Sequence, residues 1–374
     1  MCHSNKKIRR RYAFRSMPSP LLPLSCWLLW LVAAHTATTA LADDFVVAGY
    51  LPDYRAYIDL AVAEEHLTDV ILFSIQPGPD GQVSGPDVCC LGDEHFANAR
   101  MARGKAAATG RQSQLRIFAS IGGAGRSQHF ASIASNPERR KALIANLLHL
   151  CQKESLDGID FDWEQPQSQE EFVSYLHLLV EVGQALHRAQ LLLSVALHPN
   201  QRLTPQLYDI VDRIHLMAYD MITATGPGSH HATMDNAKQA VNALVASGCS
   251  NKTIVLGIPA YARHEDNPGL VKTYSEIVDA VVDTMGSETA SPEGIAAAMR
   301  QIGGGRYQGY AFDSALDVLK KVHYAKEAGL KGIFFWEIGQ DSFREDYIPG
   351  GALLAVAHWG AFDSKEETQS GDEL

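Results

Sequence analysis

From Phe45 onward the chain alternates eight apolar runs of strand length with stretches of helical periodicity, and few folds accept that series. The runs are Phe45–Leu51, Val70–Ile75, Leu115–Ile121, Gly158–Trp163, Leu191–Leu197, Ile214–Tyr219, Ile254–Pro259 and Gly332–Trp336. Strands that are apolar throughout and separated by helices lie in a parallel sheet covered on its outside. Eight in one series predict an α/β fold, a closed (β/α)8 TIM barrel, with functional residues at the carboxyl ends of the strands.

The helices between the strands carry their own start and stop signals. Asn136-Pro137-Glu138 gives a cap followed by proline at the first helical position, before Leu143, Leu147, Leu150 and Cys151 at helical spacing. Ser168 with Glu171 predicts a capping box. Asp235 is expected to open one helix that Gly248 closes, and Asp313 with Gly329 to frame the last. Pro77–Gly110 reads as a long loop with one short helix. Asp266–Tyr310 reads mostly as helices, Ser275–Met285 and Pro292–Gln301, broken at Gly303-Gly304-Gly305.

The first forty-two residues differ from the rest. Lys6, Lys7, Arg9, Arg10, Arg11 and Arg15 stand without an acid, followed by an apolar run from Leu21 to Ala34 and by Ala40-Leu41-Ala42. Residues 1–42 therefore read as a secretory signal peptide. An uncleaved signal anchor and an organellar transit peptide are competing readings, although the apolar run is short against the ~20 residues that span a bilayer. Residues 43–360 would form the barrel domain and residues 361–374 an acidic, disordered tail. The tail ends Gly371-Asp372-Glu373-Leu374, three of the four residues of an endoplasmic-reticulum retrieval signal, so secretion and retention in the lumen both stay open.

Loss of the basic segment moves the formal net charge from −11 to −17. An acidic chain of that kind is a poor partner for nucleic acid or an anionic membrane, and no later stretch is long and apolar enough to span one. Four cysteines remain, Cys89, Cys90, Cys151 and Cys249, with three possible pairings and no zinc-like C-x-x-C spacing. Cys151 reads equally well as a buried free thiol. Asn251-Lys252-Thr253 is the only N-glycosylation sequon.

The chemistry concentrates in Leu156-Asp157-Gly158-Ile159-Asp160-Phe161-Asp162-Trp163-Glu164-Gln165-Pro166. At a strand's period of two, Ile159, Phe161 and Trp163 face one way and Asp160, Asp162 and Glu164 the other. A solvated acidic face is the bland explanation, but the large apolar groups opposite and the flanking Gly158 and Pro166 predict a buried strand. Buried carboxyls side by side cannot all ionise, so such a row holds and shares protons, as an acid catalyst beside a carboxylate requires.

The pattern Asp157-Gly158-x-Asp160-x-Asp162-x-Glu164 resembles the signature strand of the family-18 glycoside hydrolases, the chitinases and their relatives. Other strand ends are similar to that family in order: Gly49-Tyr50, Ser120-Ile121-Gly122-Gly123, Met217-Ala218-Tyr219-Asp220 and Phe334-Phe335-Trp336-Glu337. Each has a bland reading, Trp336, Tyr219 and Met217 as core and the glycines as a turn. Their joint appearance is what makes the resemblance specific. It implies a barrel without the larger α+β domain that bigger chitinases insert between strands seven and eight, and hence a shallower groove.

The resemblance also implies a mechanism that needs no metal or cofactor. Glu164 would protonate the glycosidic oxygen and then activate water, while the sugar's own 2-acetamido carbonyl attacks the anomeric carbon. Asp162 would orient the acetamide N–H, Asp160 would share a proton with it, Tyr219 would donate to the acetamide carbonyl, and Trp336 would stack beneath the ring. Tyr50, Met217, Asp220, Tyr261 and Arg263 would complete the substrate contacts. Gln165 stands where the family usually has tyrosine and Ala262 where it usually has glycine, which puts the groove beyond the cleaved sugar in doubt. The implied substrate is β-1,4-linked N-acetylglucosamine in chitin or chito-oligosaccharides. An enzyme cutting the chitobiose core of N-glycans and a non-catalytic chito-oligosaccharide lectin are the alternatives.

Overall fold

A computed structural model of the chain describes residues 45–55, 60–85, 88–108, 115–284, 300–343 and 352–364. The signal-peptide reading of residues 1–42, the domain start at 43 and the tail beyond 364 fall outside them.

Eight parallel strands close on themselves: β1 (Val46–Pro52), β2 (Asp69–Gln76), β3 (Arg116–Gly122), β4 (Gly158–Asp162), β5 (Leu192–Leu197), β6 (Arg213–Leu216), β7 (Ile254–Pro259) and β8 (Gly332–Trp336). β1 pairs with β8 on one side and β2 on the other, which completes the predicted (β/α)8 barrel. Strand limits fall close to those expected except in the sixth. There Ala218 N and Tyr219 N turn back onto the carbonyls of Leu216 and Met217, so Met217 to Asp220 leave the sheet and form the barrel rim.

Two apolar shells follow from the alternation of side chains. Val46, Ala48, Ile71, Phe118, Val255 and Phe334 point into the barrel. Ile117, Ile159, Val195 and Ile333 point out, toward the helices. The helices α1 (Asp93–Ala108), α2 (Pro137–Glu154), α3 (Gln169–Arg188) and α4 (Met234–Ala246) are followed by α5 (Tyr274–Asp283), α6 (Ala315–Glu327) and α7 (Leu353–His358). Leu143 and Leu147 of α2, Leu178, Leu179 and Val182 of α3, and Val318 and Val322 of α6 are buried. Each such side chain contributes roughly 1.5–3 kcal/mol by leaving water.

The capping signals hold with three corrections. Asn136 accepts from Glu138 N and Arg139 N, as predicted. Ser168 accepts from Glu171 N, but the Glu171 carboxylate reaches past it to Gln167 N, so the box is not reciprocal. Thr233, not Asp235, caps α4, because its backbone is extended and its Oγ1 meets Asn236 N at 3.1 Å. Ser314 with Asp317 caps α6. Asp313 is instead buried against the Lys321 ammonium.

Between β7 and β8 the helical reading gives way to a small α+β element. Four short strands, Val271–Thr273, Tyr261–His264, Tyr310–Ala311 and Arg306–Tyr307, lie in that order as an antiparallel sheet beside α5. Gln308 and Gly309 both take positive φ, +48° and +79°, the conformation of the two-residue hairpin turns that suit strand twist. Of the second expected helix, Pro292–Gln301, only residues 300 and 301 are described, and they are helical. The structure joins Cys89 to Cys90 and leaves Cys151 and Cys249 as buried thiols, each pushed up to about 12, burial being the leading cause. Trp359–Asp363 continues α7, so residues 361–363 belong to the fold rather than to the tail.

At the foot of the barrel, Asp69 is fully buried and accepts from Arg116 Nε (2.7 Å), Arg213 Nη1 (2.8 Å) and Thr68 Oγ1 (2.5 Å). Burial alone would raise this carboxyl, but the two guanidinium groups and these hydrogen bonds hold it at about 2. A depressed carboxyl stabilises the fold above its unfolded value of about 3.9 and loses that contribution as pH falls through the folded value. Asp69→Asn should therefore cost ~3–5 kcal/mol at pH 7, because it leaves a buried guanidinium uncompensated. In urea unfolding, the gap between native and variant should narrow between pH 5 and 2. A gap constant across that range would contradict the assignment.

Candidate active site

β4 points Asp160 and Asp162 into the barrel, while Ile159 and Phe161 face the helices. Trp163 stacks on Phe130 at 5.2 Å and meets Tyr175 edge-on at 5.0 Å, which fixes the strand's exit. The row of acids therefore stands along the barrel axis, as its alternation requires.

Asp160 sits deepest and is surrounded by donors. Its Oδ2 accepts from Tyr50 Oη (3.0 Å) and Ser120 Oγ (2.8 Å), and its Oδ1 from Ser194 Oγ (2.6 Å) with His215 Nδ1 at 3.2 Å. Tyr50 Oη also lies 2.7 Å from His215 Nδ1. Burial acts to raise this carboxyl, yet His215 and the serine hydroxyls outweigh it and hold Asp160 below its ordinary value. No hydrogen bond in this arrangement carries the expected sharing of a proton with Asp162, because the donors occupy both oxygens of Asp160.

Asp162 has the opposite surroundings. It is buried, and its Oδ1 meets no hydrogen-bond partner among the described residues. Burial first, then the charges of Glu164 and Asp160, push its carboxyl well above the ordinary value. The turn after β3 holds it in place. Gly123 N donates to Asp162 O at 2.6 Å, and Ser74 Oγ donates to Gly122 O at 2.6 Å. Gly122 and Gly123 have φ of +101° and +95°, and a Cβ on Gly122 would stand 2.3 Å from Asp162 O. The glycine pair is needed for close approach as well as for the turn. Glu164 follows at the rim with an exposed side chain, yet the cleft walls withdraw enough water to raise its carboxyl.

Above the row opens a cavity of about 340 Å³. Of the residues singled out in the sequence, Tyr50, Asp162, Glu164, Met217, Tyr219, Asp220, Tyr261 and Trp336 line it, and Asp160 lies beneath. Trp336 stands perpendicular to Phe73 at 4.8 Å and beside Tyr50 at 5.5 Å, which sets its indole as a wall of the cavity. Burial raises the Tyr219 hydroxyl well above the ordinary value, as do the nearby Tyr261, Asp162, Asp220 and Glu164, so it stays a donor.

Arg263 is not brought to the cavity. Its Nε and Nη2 each contact an oxygen of Asp220 at 2.5 Å, and its Nη1 donates to Pro268 O, so the expected substrate contact is corrected to a clamp. His231 Nδ1 lies 3.0 Å from the same carboxylate. Burial would raise Asp220, but His231 and Arg263 hold it far below its ordinary range.

The sequence reading missed His215 and Ser194 beneath the cavity and Ala124, His198 and Gln201 around it. A signal existed for the first two: Ser194 and His215 are inward-facing polar residues between apolar neighbours on β5 and β6. Among the described residues, no three histidine, cysteine or acidic side chains are grouped to hold a metal ion, and no helix is long and apolar enough to cross a membrane.

Residues 47–341 match the family model "Glycosyl hydrolases family 18". Chitinase 1 of Aphanocladium album is 26% identical over 404 aligned positions, covering 91% of this chain and 94% of its own. Class V chitinase CHIT5 of Lotus japonicus is 27% identical over 264 residues, which span 59% of this chain and 66% of that relative. Among solved structures, the GH18 chitinase ChiB of Flavobacterium johnsoniae is similar with a TM-score of 0.67 at 24% identity, over 86% of this chain and 94% of that one. The GH18 chitinase of Cycas revoluta in complex with (GlcNAc)3 gives 0.66 at 21% identity, over 84% and 99%. The chitinase-like agglutinin of Robinia pseudoacacia shares the fold to a similar degree, 0.64 at 22% identity over 84% and 99%. With the family model spanning most of the chain and the acid row in the barrel mouth, this protein belongs to glycosyl hydrolase family 18.

Proposed function

We propose that the chain is a retaining glycosidase of β-1,4-linked N-acetylglucosamine, acting on chitin or its oligosaccharides with the substrate's acetamido group as nucleophile. One observation carries this reading. Asp162 is a buried carboxyl with an unpartnered oxygen, between Asp160, which its donors hold below the ordinary value, and Glu164, which burial raises. Carboxyls whose surroundings push their proton affinities apart mark an acid and its electrostatic partner.

In the proposed cycle, Glu164 gives its proton to the glycosidic oxygen as the C1–O bond breaks, and the acetamido oxygen closes on C1 to form an oxazolinium ion. The free oxygen of Asp162 accepts the acetamide N–H, and the acidic row that carries it offsets the positive charge, with Glu164 a carboxylate once its proton has left. Tyr219 donates to the acetamide oxygen, and Trp336 supports the ring by stacking. Water then attacks C1 as the Glu164 carboxylate takes its proton, which restores both the acid and the anomeric configuration. The similarity to chitinases, among them one bound to (GlcNAc)3, supports the substrate class. The basic, apolar N-terminal segment supports routing through the secretory pathway.

Glu164→Gln should lower kcat on fluorogenic N-acetylglucosamine oligosaccharides by ~10²–10⁴-fold with little change in KM. Binding without turnover in both native and variant would instead favour a lectin, the role named for the Robinia relative. Glu164 must be protonated to act, so the rate should fall as pH rises through its raised value. Because Asp162 and Glu164 repel one another, Asp162→Asn should move that alkaline limb to lower pH as well as reduce kcat. An unmoved limb would contradict the coupling. Removing the acetyl groups from the substrate should abolish turnover, and equal cleavage of acetylated and deacetylated oligosaccharides would overturn the mechanism.

A further inference from the structure

The wall of the cavity across from its aromatic side has no part in the cycle above. Trp336 and Tyr50 come from β8 and β1, which neighbour each other. Gln165, His198 and Gln201 follow β4 and β5, which lie across the barrel from them. Glu164, the proposed proton donor to the glycosidic oxygen, separates the two sides. If the cleaved sugar stands against Trp336, the group that leaves departs toward Gln165, His198 and Gln201.

That wall is built rather than incidental. His198 N donates to Gln201 Oε1 at 2.7 Å, and Gln201 Nε2 donates to Trp163 O at 3.4 Å, which ties the loop to the residue before Glu164. Asn200 N donates to His198 Nδ1 at 3.3 Å. An imidazole that accepts at Nδ1 carries its proton at Nε2. Burial lowers the ring's proton affinity against the opposing pull of Asp220, which favours the neutral tautomer. His198 Nε2–H is thus an oriented donor with no partner among the described residues, beside the two Gln165 and Gln201 amides. Beyond these amides a second hollow of about 380 Å³ continues, lined by further amide groups on Gln167, Gln169 and Asn200 and by the rings of Phe172 and Tyr175, the latter buried against Trp163. On the wall after β3 the cavity is lined by Ala124, which offers no ring.

We infer that His198, with Gln165 and Gln201, is a specificity-determining residue that recognises a hydroxylated sugar as the leaving group by hydrogen bonds instead of by stacking. The inference rests on the glycosidase reading and adds to it the residues that hold the leaving group. Amide and imidazole donors match the alternating donors and acceptors of a pyranose. A methylumbelliferyl leaving group offers them only its lactone oxygens and no hydroxyl. Discrimination then comes from groups left unpaired when the wrong leaving group binds.

The test compares two probes on the full chain: the N-acetylglucosamine tetramer, whose leaving group is a sugar, and a methylumbelliferyl chitobioside, whose leaving group is aryl. His198→Ala should lower the tetramer-to-aryl ratio of kcat/KM about 3- to 10-fold, the worth of one net hydrogen bond, with the loss in the tetramer's KM. His198→Gln, which keeps an N–H donor, should recover much of that ratio. An unchanged ratio, whether both substrates lose equally or neither does, would overturn the inference and leave His198 a structural residue. Should the native protein cleave neither probe, the glycosidase reading fails on its own. Calorimetric binding of the tetramer to Glu164→Gln, with and without His198→Ala, then decides. Equal affinities would refute the role of His198, and a 3- to 10-fold weakening would support it.

Discussion

A carboxylate can remain ionised inside a barrel of valine, isoleucine and phenylalanine only if donors replace the water it gave up. Asp160 meets that condition with Ser120, Ser194, Tyr50 and His215, one from each of β3, β5, β1 and β6. Four strands are therefore tied to the one carrying the acids, and their register is fixed by hydrogen bonds that a shift of one residue would break. Asp162 above it is raised well above its ordinary value, by burial first and then by the charges of Glu164 and Asp160. The same rule operates at the foot of the barrel, where Arg116 and Arg213 satisfy Asp69. Polar layers thus alternate with apolar ones along the barrel axis, and in the upper layer Asp162 Oδ1 is left without a partner among the described residues.

The loops complete what the strands begin. The Gly122-Gly123 turn brings backbone against the carbonyl of Asp162, a distance no side-chain-bearing residue would allow. On the far side, Arg263 of the small antiparallel sheet clamps Asp220, next to Tyr219, and Met221 N donates to His231 O. The inserted element thereby supports the rim that carries a catalytic candidate, and its arginine acts through that carboxylate from outside the cavity.

Much of this was legible in the sequence because period and spacing are local. Eight apolar runs sufficed for the barrel, and the alternation Asp160, Asp162, Glu164 sufficed for the acid row. Where reading failed, the deciding partner lay outside the local pattern, 8 residues on for Asp313 and 43 away for Arg263. Asp313 looks like a helix cap until Lys321 claims its carboxylate, and Arg263 looks like a sugar contact until Asp220 does. Asp160 looks like a proton-sharing neighbour of Asp162 until residues from four other strands converge on it. The small sheet was missed because its strands are two to four residues long, too short for a period to show. Its one local signal was Gln308-Gly309 between two tyrosines.

The central claim is that the acid row serves a nucleophile supplied by the substrate, so that attack occurs twice at the same carbon. Proton NMR of the N-acetylglucosamine tetramer in the first minutes of turnover, before mutarotation, reads the outcome directly. The account predicts that the β-anomer appears first at the newly formed reducing end. Initial formation of the α-anomer would mean direct attack by water, and would contradict it.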